Sequence, residues 1–220
     1  MSIELYVLNI SERLSSPVDE YLKYFSAERV KKILRYKFNP DRNRTVWAEL
    51  LARKLIAERT GKNFRDVKIF RTSGGRPYSE IFFSLSHSGA WVACSIGESE
   101  NGVDVENFDR KIDINIAKRF FLPNEYDELK NFNLSDDERK KKFFQYWTLK
   151  ESCLKCLNLN EWTGVDCEKL LRGDGEFQGK NFFLDDGAVV GICARKSELP
   201  ENFVIKKSPP DLLKITGGDF

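Results

Sequence analysis

The 220-residue sequence is short of four things, and each absence excludes a class of protein. There is no surplus of charge: 36 basic side chains face 34 acidic ones, a net of +2. That balance argues against a nucleic-acid protein dominated by phosphate neutralisation, so any basic patch must be local. There is no apolar run near the roughly 18 residues that a spanning helix needs. Met1-Ser2-Ile3-Glu4-Leu5 also places no basic region ahead of a hydrophobic core. Neither a membrane span nor a secretory signal is expected, and the expected location is the cytoplasm. Cysteine is sparse and odd in number: Cys94, Cys153, Cys156, Cys167 and Cys193, scattered among apolar runs. Cys153-Leu154-Lys155-Cys156 has CxxC spacing but falls inside a predicted helix, and no second pair stands at zinc spacing. Buried, reduced thiols are expected. The fourth scarcity is histidine, of which His87 is the only one.

What is present is ample apolar material, 41% hydrophobic and 13% aromatic, enough for a real core. The length suits one globular unit or two small lobes sharing an interface. The densest stretch is Phe144-Gln145-Tyr146-Trp147-Thr148-Leu149-Lys150-Glu151-Ser152-Cys153-Leu154-Lys155. Read as a helix, it puts Glu151 and Lys155 one turn apart, about 6 Å along the axis. Such a pair is either a solvated i,i+4 contact or part of a cleft. The apolar surroundings, from Phe143 to Leu157, favour a covered helix whose emerging charges are paired or line a cleft.

In Gly102-Val103-Asp104-Val105-Glu106 acidic and apolar residues alternate with the period of a strand. Asp104 and Glu106 then share a face, about 7 Å apart at the backbone. One reading is an ordinary amphipathic strand with a wet acidic face. The other is a hard-cation site with Glu151 as third oxygen ligand, for which Mg²⁺ holding a phosphate-bearing substrate is the ion to expect.

With these two stretches, Gly75-Arg76-Pro77 and Phe83-Ser84-Leu85-Ser86-His87-Ser88 complete a set in fixed order. In that set the chain resembles the 4′-phosphopantetheinyl transferases, in particular the larger, double-length class that modifies carrier domains of peptide and polyketide synthetases. The resemblance runs from Ser26 to about Leu171. It implies an α+β fold of two similar lobes related by a pseudo-twofold, with the active site in the cleft between them and the boundary near residue 101. Lobe one (1–101) would bind coenzyme A; lobe two (102–220) would hold the metal site, the catalytic helix and the carrier-docking surface. Trp47 and Trp147, each opening the apolar part of a long helix, are an internal echo that agrees with it.

The reaction implied is attack by a carrier serine on the β-phosphorus of coenzyme A, releasing adenosine 3′,5′-bisphosphate. Mg²⁺ would sit on Asp104, Glu106 and Glu151, with Glu151 also the candidate base and Lys155 and Lys150 balancing phosphate charge. By the same resemblance Arg29 and Lys32 face the nucleotide phosphates, Arg44 and Thr45 hold coenzyme A, and Ser86 and His87 contact its phosphates. Gly75 and Arg76, in a glycine-rich turn, are candidates for the adenine end, with Pro77 also counted among the coenzyme-binding residues; the family usually has lysine where Arg76 stands. The partner implied is an apo peptidyl or acyl carrier protein, docked on residues 113–134 through Phe120, Phe121, Leu122 and Phe132, unless those side chains simply pack the second lobe. The class habit is a monomer, with neither nucleic acid nor membrane as partner. A nucleotide phosphohydrolase and a non-catalytic coenzyme A- or carrier-binding protein are the rival functions.

Locally, the pattern predicts a strand over Ile3–Ile10, a helix over Asp19–Phe38 with an exposed basic face, and a helix from Arg42 to Thr60 capped by Asp41. Arg44 and Thr45 would then occupy a first turn favourable to anions. Strands are expected over 67–71, 81–88 and 90–96, helices over 113–121 and from Pro123 through Leu129. Residues 134–142 are expected to be exposed and charged, 182–194 to form a hairpin turning at Asp185-Asp186-Gly187, and the tail from Lys206 to be irregular.

Overall fold

The computed structural model describes residues 3–159, 164–185 and 187–206. The irregular tail expected after Lys206, and Asp186 of the hairpin turn, lie outside these residues. Nine strands and six α-helices are described. The strands are β1 (Glu4–Asn9), β2 (Phe70–Arg71), β3 (Pro77–Tyr78), β4 (Phe82–Ser88), β5 (Trp91–Gly97), β6 (Asn101–Asn107), β7 (Phe177–Leu184), β8 (Ala188–Arg195) and β9 (Val204–Lys206). The helices are α1 (Ala27–Leu34), α2 (Asn39–Thr60), α3 (Asn115–Phe120), α4 (Pro123–Leu129), α5 (Asp136–Leu157) and α6 (Cys167–Arg172).

The architecture is α+β in two halves. A four-stranded sheet in the order β4-β5-β1-β9 belongs to the first and a three-stranded sheet, β6-β8-β7, to the second. Each half sets a 22-residue helix against its sheet, α2 on the first and α5 on the second. The four-stranded sheet is antiparallel except at β9, which pairs in parallel with β1. The inner faces of the two sheets meet in an apolar layer built from Leu5, Val7, Trp91, Val103, Val105 and Ile192. Every one of these is buried because the strand period of two turns alternate side chains to the same side.

Helix α5 lies tight on its sheet where glycine permits it. A Cβ at Gly102 would overlap the Ser152 carbonyl and come within 2.6 Å of the Cys156 nitrogen. At Gly191 it would lie 2.6 Å from the Thr148 carbonyl group. These two glycines seat the helix one turn apart, at 148 and 152, which fixes Glu151 and Lys155 over β6.

Several local expectations need correction. The helix expected over Asp19–Phe38 is two pieces, a 3₁₀ stretch at Asp19–Tyr24 and α1, because Phe25 is extended and Ser26 caps the next turn by accepting from the Arg29 N–H. Helix α2 starts at Asn39 rather than Arg42, since proline is tolerated in a first turn and Pro40 lies there. Asp41 therefore caps nothing and accepts from Arg44 instead, at 2.6 Å. Arg44 and Thr45 fall in the second turn, beyond the free N–H groups that favour an anion. Residues 136–142 are charged and largely exposed, as expected, and they also form the first two turns of α5, begun by a capping box in which Ser135 and Glu138 bond to each other's backbone N–H. Of the two readings open for Phe121, packing of the second lobe holds: it is buried among Phe143 and Tyr146.

Candidate active site

The two halves are sewn together by serine. On β4 the hydroxyls of Ser84, Ser86 and Ser88 accept from the β6 N–H groups of Val103, Val105 and Asn107 at 3.1, 3.2 and 3.3 Å. Two of them also donate, Ser86 to Asp104 Oδ1 and Ser88 to Glu106 Oε2, both at 2.7 Å. The alternation seen in the sequence is thus a seam in which each hydroxyl satisfies a strand edge and two orient the carboxylates.

Asp104 and Glu106 are both more than nine-tenths buried on this seam. Lys155 reaches down from α5 to Asp104 Oδ1 at 2.7 Å and to the Val103 carbonyl at 3.0 Å. The other Asp104 oxygen, Oδ2, is buried and accepts no hydrogen bond from any described residue. Glu106 is held by Ser88 and, on its other oxygen, by Arg110 at 3.0 Å. Glu151 stands close enough to feel both acids. Burial first, then the charge of Asp104, push its pKa above the ordinary carboxylate value; Lys155 pulls it down and Glu106 pushes it up further. The Glu106 pKa is likewise raised, chiefly by burial and also by Asp104. Three carboxylates that repel one another, countered by Lys155 on Asp104 and Arg110 on Glu106, form an acidic centre that is not fully neutralised.

A cleft of about 450 Å³ opens beside this centre. Of the expected coenzyme-binding residues it is lined by Arg29, Lys32, Thr45, Gly75, Pro77, Ser86, His87 and Lys155. Thr45, Ala48 and Glu49 reach it from one face of α2, at the i, i+3, i+4 spacing of neighbours on a helix. Desolvation lowers the His87 pKa, and the Arg44 and Lys155 cations lower it further, so the imidazole is neutral at pH 7 and offers one N–H.

Three expected residues lie elsewhere. Arg44 does not line the cleft; it donates to the Gly89 carbonyl at 3.0 Å. Arg76 bonds Asn158 at the end of α5 at 2.9 Å, tying the glycine turn to the second half. Lys150 is a correction. It is completely buried, paired with Glu125 at 2.8 Å and donating to the Val165 carbonyl at 2.5 Å, so it cannot reach a phosphate in the cleft.

Two residues that sequence reasoning missed belong to the cleft wall. Glu49, 3% exposed, accepts through Oε2 from Arg29 at 2.8 Å and from Arg71 at 2.7 Å. Arg71 also donates to the Gly75 carbonyl at 2.9 Å. One buried carboxylate thereby fixes the α1 arginine and, through Arg71, the glycine turn, where Gly75 takes a left-handed φ of 85°. The position of Glu49, one turn after Thr45, was the available signal.

The chain is similar to known proteins of one family. Residues 100–205 match the model of the 4′-phosphopantetheinyl transferase superfamily, and residues 15–99 that of the 4′-phosphopantetheinyl transferase N-terminal domain. The chain is 32% identical over 205 residues to the 4′-phosphopantetheinyl transferase psf-1 of Bacillus pumilus, covering 86% of each chain. It is 26% identical over 220 residues to the 4′-phosphopantetheinyl transferase Sfp of Bacillus subtilis, covering 92% of this chain and 97% of that one. It is 30% identical over 165 residues to the 4′-phosphopantetheinyl transferase HetI of Nostoc, covering 70% of this chain and 69% of that one. On the extent of these matches, the chain belongs to the 4′-phosphopantetheinyl transferase superfamily.

Proposed function

We propose that the chain transfers the 4′-phosphopantetheine arm of coenzyme A to a serine of an apo peptidyl or acyl carrier protein and releases adenosine 3′,5′-bisphosphate. The observation that carries the reading is the junction of a basic cleft with a buried acidic centre, bridged by Lys155. Residues 1–101 supply the cleft apart from Lys155, and residues 102–220 the acidic centre, α5 and the docking surface. The chain acts as a monomer in the cytoplasm, with neither nucleic acid nor membrane as partner. Among the described residues no helix is long and apolar enough to cross a membrane.

In the transfer, the serine oxygen bonds to the β-phosphorus as the bond to the leaving bisphosphate oxygen breaks. Glu151 takes the serine proton; its raised pKa brings it nearer the operating pH of a general base. Arg29 and Lys32 hold the nucleotide phosphates, Thr45 supports them from α2, and His87 donates its single N–H. Gly75 and Pro77 border the adenine end, and Lys155 neutralises charge that grows on the leaving group. Ser86 and Ser88 act as positioning residues, aiming Asp104 and Glu106.

The acidic centre fits Mg²⁺. Among the described residues no three acidic, histidine or cysteine side chains are drawn together tightly enough to hold an ion as they stand. Yet the donors are all hard oxygens, Asp104 Oδ2 is buried without a partner among the described residues, and the Glu106 and Glu151 pKa values are raised, first by burial and then by the charge of Asp104. Asp104, Glu106 and Glu151 would hold the ion, which supplies a Lewis acid for the pyrophosphate. The decisive experiment is the intact mass of an apo peptidyl carrier protein after incubation with this chain, coenzyme A and Mg²⁺. One added phosphopantetheine per carrier, abolished by EDTA, supports the transfer. Coenzyme A bound with the carrier mass unchanged, or coenzyme A hydrolysed without any carrier, overturns it.

Two further outcomes follow from the wall and the docking segment. Glu49→Gln removes the charge that orients Arg29 and Arg71 and is expected to raise the KM for coenzyme A about tenfold, the worth of a charged hydrogen bond. Because these groups lie away from the reacting phosphorus, kcat should stay within about twofold; steady-state kinetics decide it. Phe132 is 99% exposed beside α4 and is offered to the carrier. Phe132→Ala is expected to raise the KM for the carrier several-fold, about 1 kcal/mol of lost contact, with an unchanged melting temperature. Phe121→Ala should instead cost about 3–5 kcal/mol of stability, as core phenylalanines do.

A further inference from the structure

The cleft has a neighbour on the far side of its arginine wall. A second cavity, of about 800 Å³, opens between residues 23–32, α2 and residues 65–73, and shares Arg29, Lys32, Glu49 and Arg71 with the first. Seven lysine or arginine side chains and two glutamates line it, a local net of +5 in a chain whose total is +2. The local excess is larger than the net charge of the whole chain, so the rest of the chain is on balance acidic.

At its floor three guanidinium groups depend on one carboxylate. Glu49 is committed to Arg29 and Arg71. Arg53, one turn further along α2 and 8% exposed, senses the same charge but has no ion pair of its own among the described residues. Its Nη1 donates to the Val67 carbonyl at 2.6 Å and the group lies over the Phe25 ring at 5.8 Å, but its Nε is buried with no hydrogen-bond partner among the described residues. A buried, permanently charged group left in this state is costly unless an anion completes it. Arg65 and Lys68 stand exposed at the rim, and neither lines the coenzyme cleft.

We propose that this second cavity binds a phosphate-bearing anion of its own, with Arg53 at the floor and Arg65 and Lys68 at the rim. It rests on the function above only in assigning the neighbouring cleft to coenzyme A. Because Arg29 and Arg71 face both spaces, an anion here draws on the cations that hold the coenzyme, and the two ligands weaken each other by a fixed, reciprocal factor.

The test uses the whole chain and inorganic pyrophosphate. Coenzyme A is first titrated alone by calorimetry; failure there strikes the reading of the cleft, and the cavity is then tested on the unloaded protein with the same variants. Pyrophosphate is next titrated into the coenzyme-loaded protein. One site per chain is expected, weakened about tenfold in Lys68→Glu and in Arg65→Glu, while coenzyme A affinity in both variants stays within about twofold. The apparent Kd for coenzyme A should rise with pyrophosphate and level off. A rise without limit, meaning one shared site, or pyrophosphate binding unchanged in both variants, overturns the proposal. Adenosine diphosphate run in parallel separates the sources: tighter binding than pyrophosphate identifies a nucleotide, equal binding a free phosphate species.

Discussion

Asp104→Asn is expected to lower transfer to the carrier by on the order of 10²- to 10³-fold in kcat, the cost of removing one group that stabilises developing charge. The asparagine keeps the shape and the acceptor that Ser86 Oγ uses, but it is a neutral donor to a hard cation and leaves Lys155 without its counter-charge. The same change relieves repulsion on Glu106 and Glu151, whose pKa values Asp104 raises. The loss of the lysine pair and this relief oppose each other. The melting temperature should therefore move by no more than about 3 °C, the equivalent of roughly 1 kcal/mol for a chain of this size. Single-turnover transfer followed by mass, with a thermal melt on the same preparation, checks both halves. An inactive variant that melts far lower would instead mark Asp104 as a structural acid.

Glu125→Ala is expected to destabilise the chain by about 3–5 kcal/mol, the cost of stranding one partner of a buried ion pair. Glu125 is 0% exposed and does three things. It pairs with Lys150 at 2.8 Å, accepts from the Leu122 N–H at 2.8 Å, and accepts from the Cys167 N–H at 2.9 Å. It thereby fastens α4 and the start of α6 to α5, and alanine would orphan an ammonium and two amides at once. Urea unfolding measures the loss. The double variant Glu125→Gln with Lys150→Met should recover most of it, because no buried charge remains and glutamine still accepts from an N–H. If the single and double variants unfold alike, the pair is not what holds these helices.

How much of this could be read from the chain depended on distance along it. The acidic pair was legible because alternation in Val103-Asp104-Val105-Glu106 is a local rule, and Glu151 and Lys155 because one helical turn relates them. The start of α5 was equally legible: Ser135 and Glu138 have capping-box spacing, and the charge of the segment masked it. Lys150 could have been excluded on the helix surface, since its i−4, i+3 and i+4 neighbours are Tyr146, Cys153 and Leu154, all buried. The role of Ser84, Ser86 and Ser88 was not legible, because nothing local tells that β4 lies against β6. Nor was the Arg29–Glu49–Arg71 wall, whose members come from three elements far apart in the chain.

The pairing of β9 with β1 has a consequence for how the molecule is made. Strand β1 is synthesised well before the strand that covers its free edge, Val204–Lys206. Until those residues leave the ribosome, the nascent first half carries an open row of backbone donors and acceptors, a template for pairing with another chain. A fragment ending near residue 101 would lack β9, keep that edge open and be prone to aggregate.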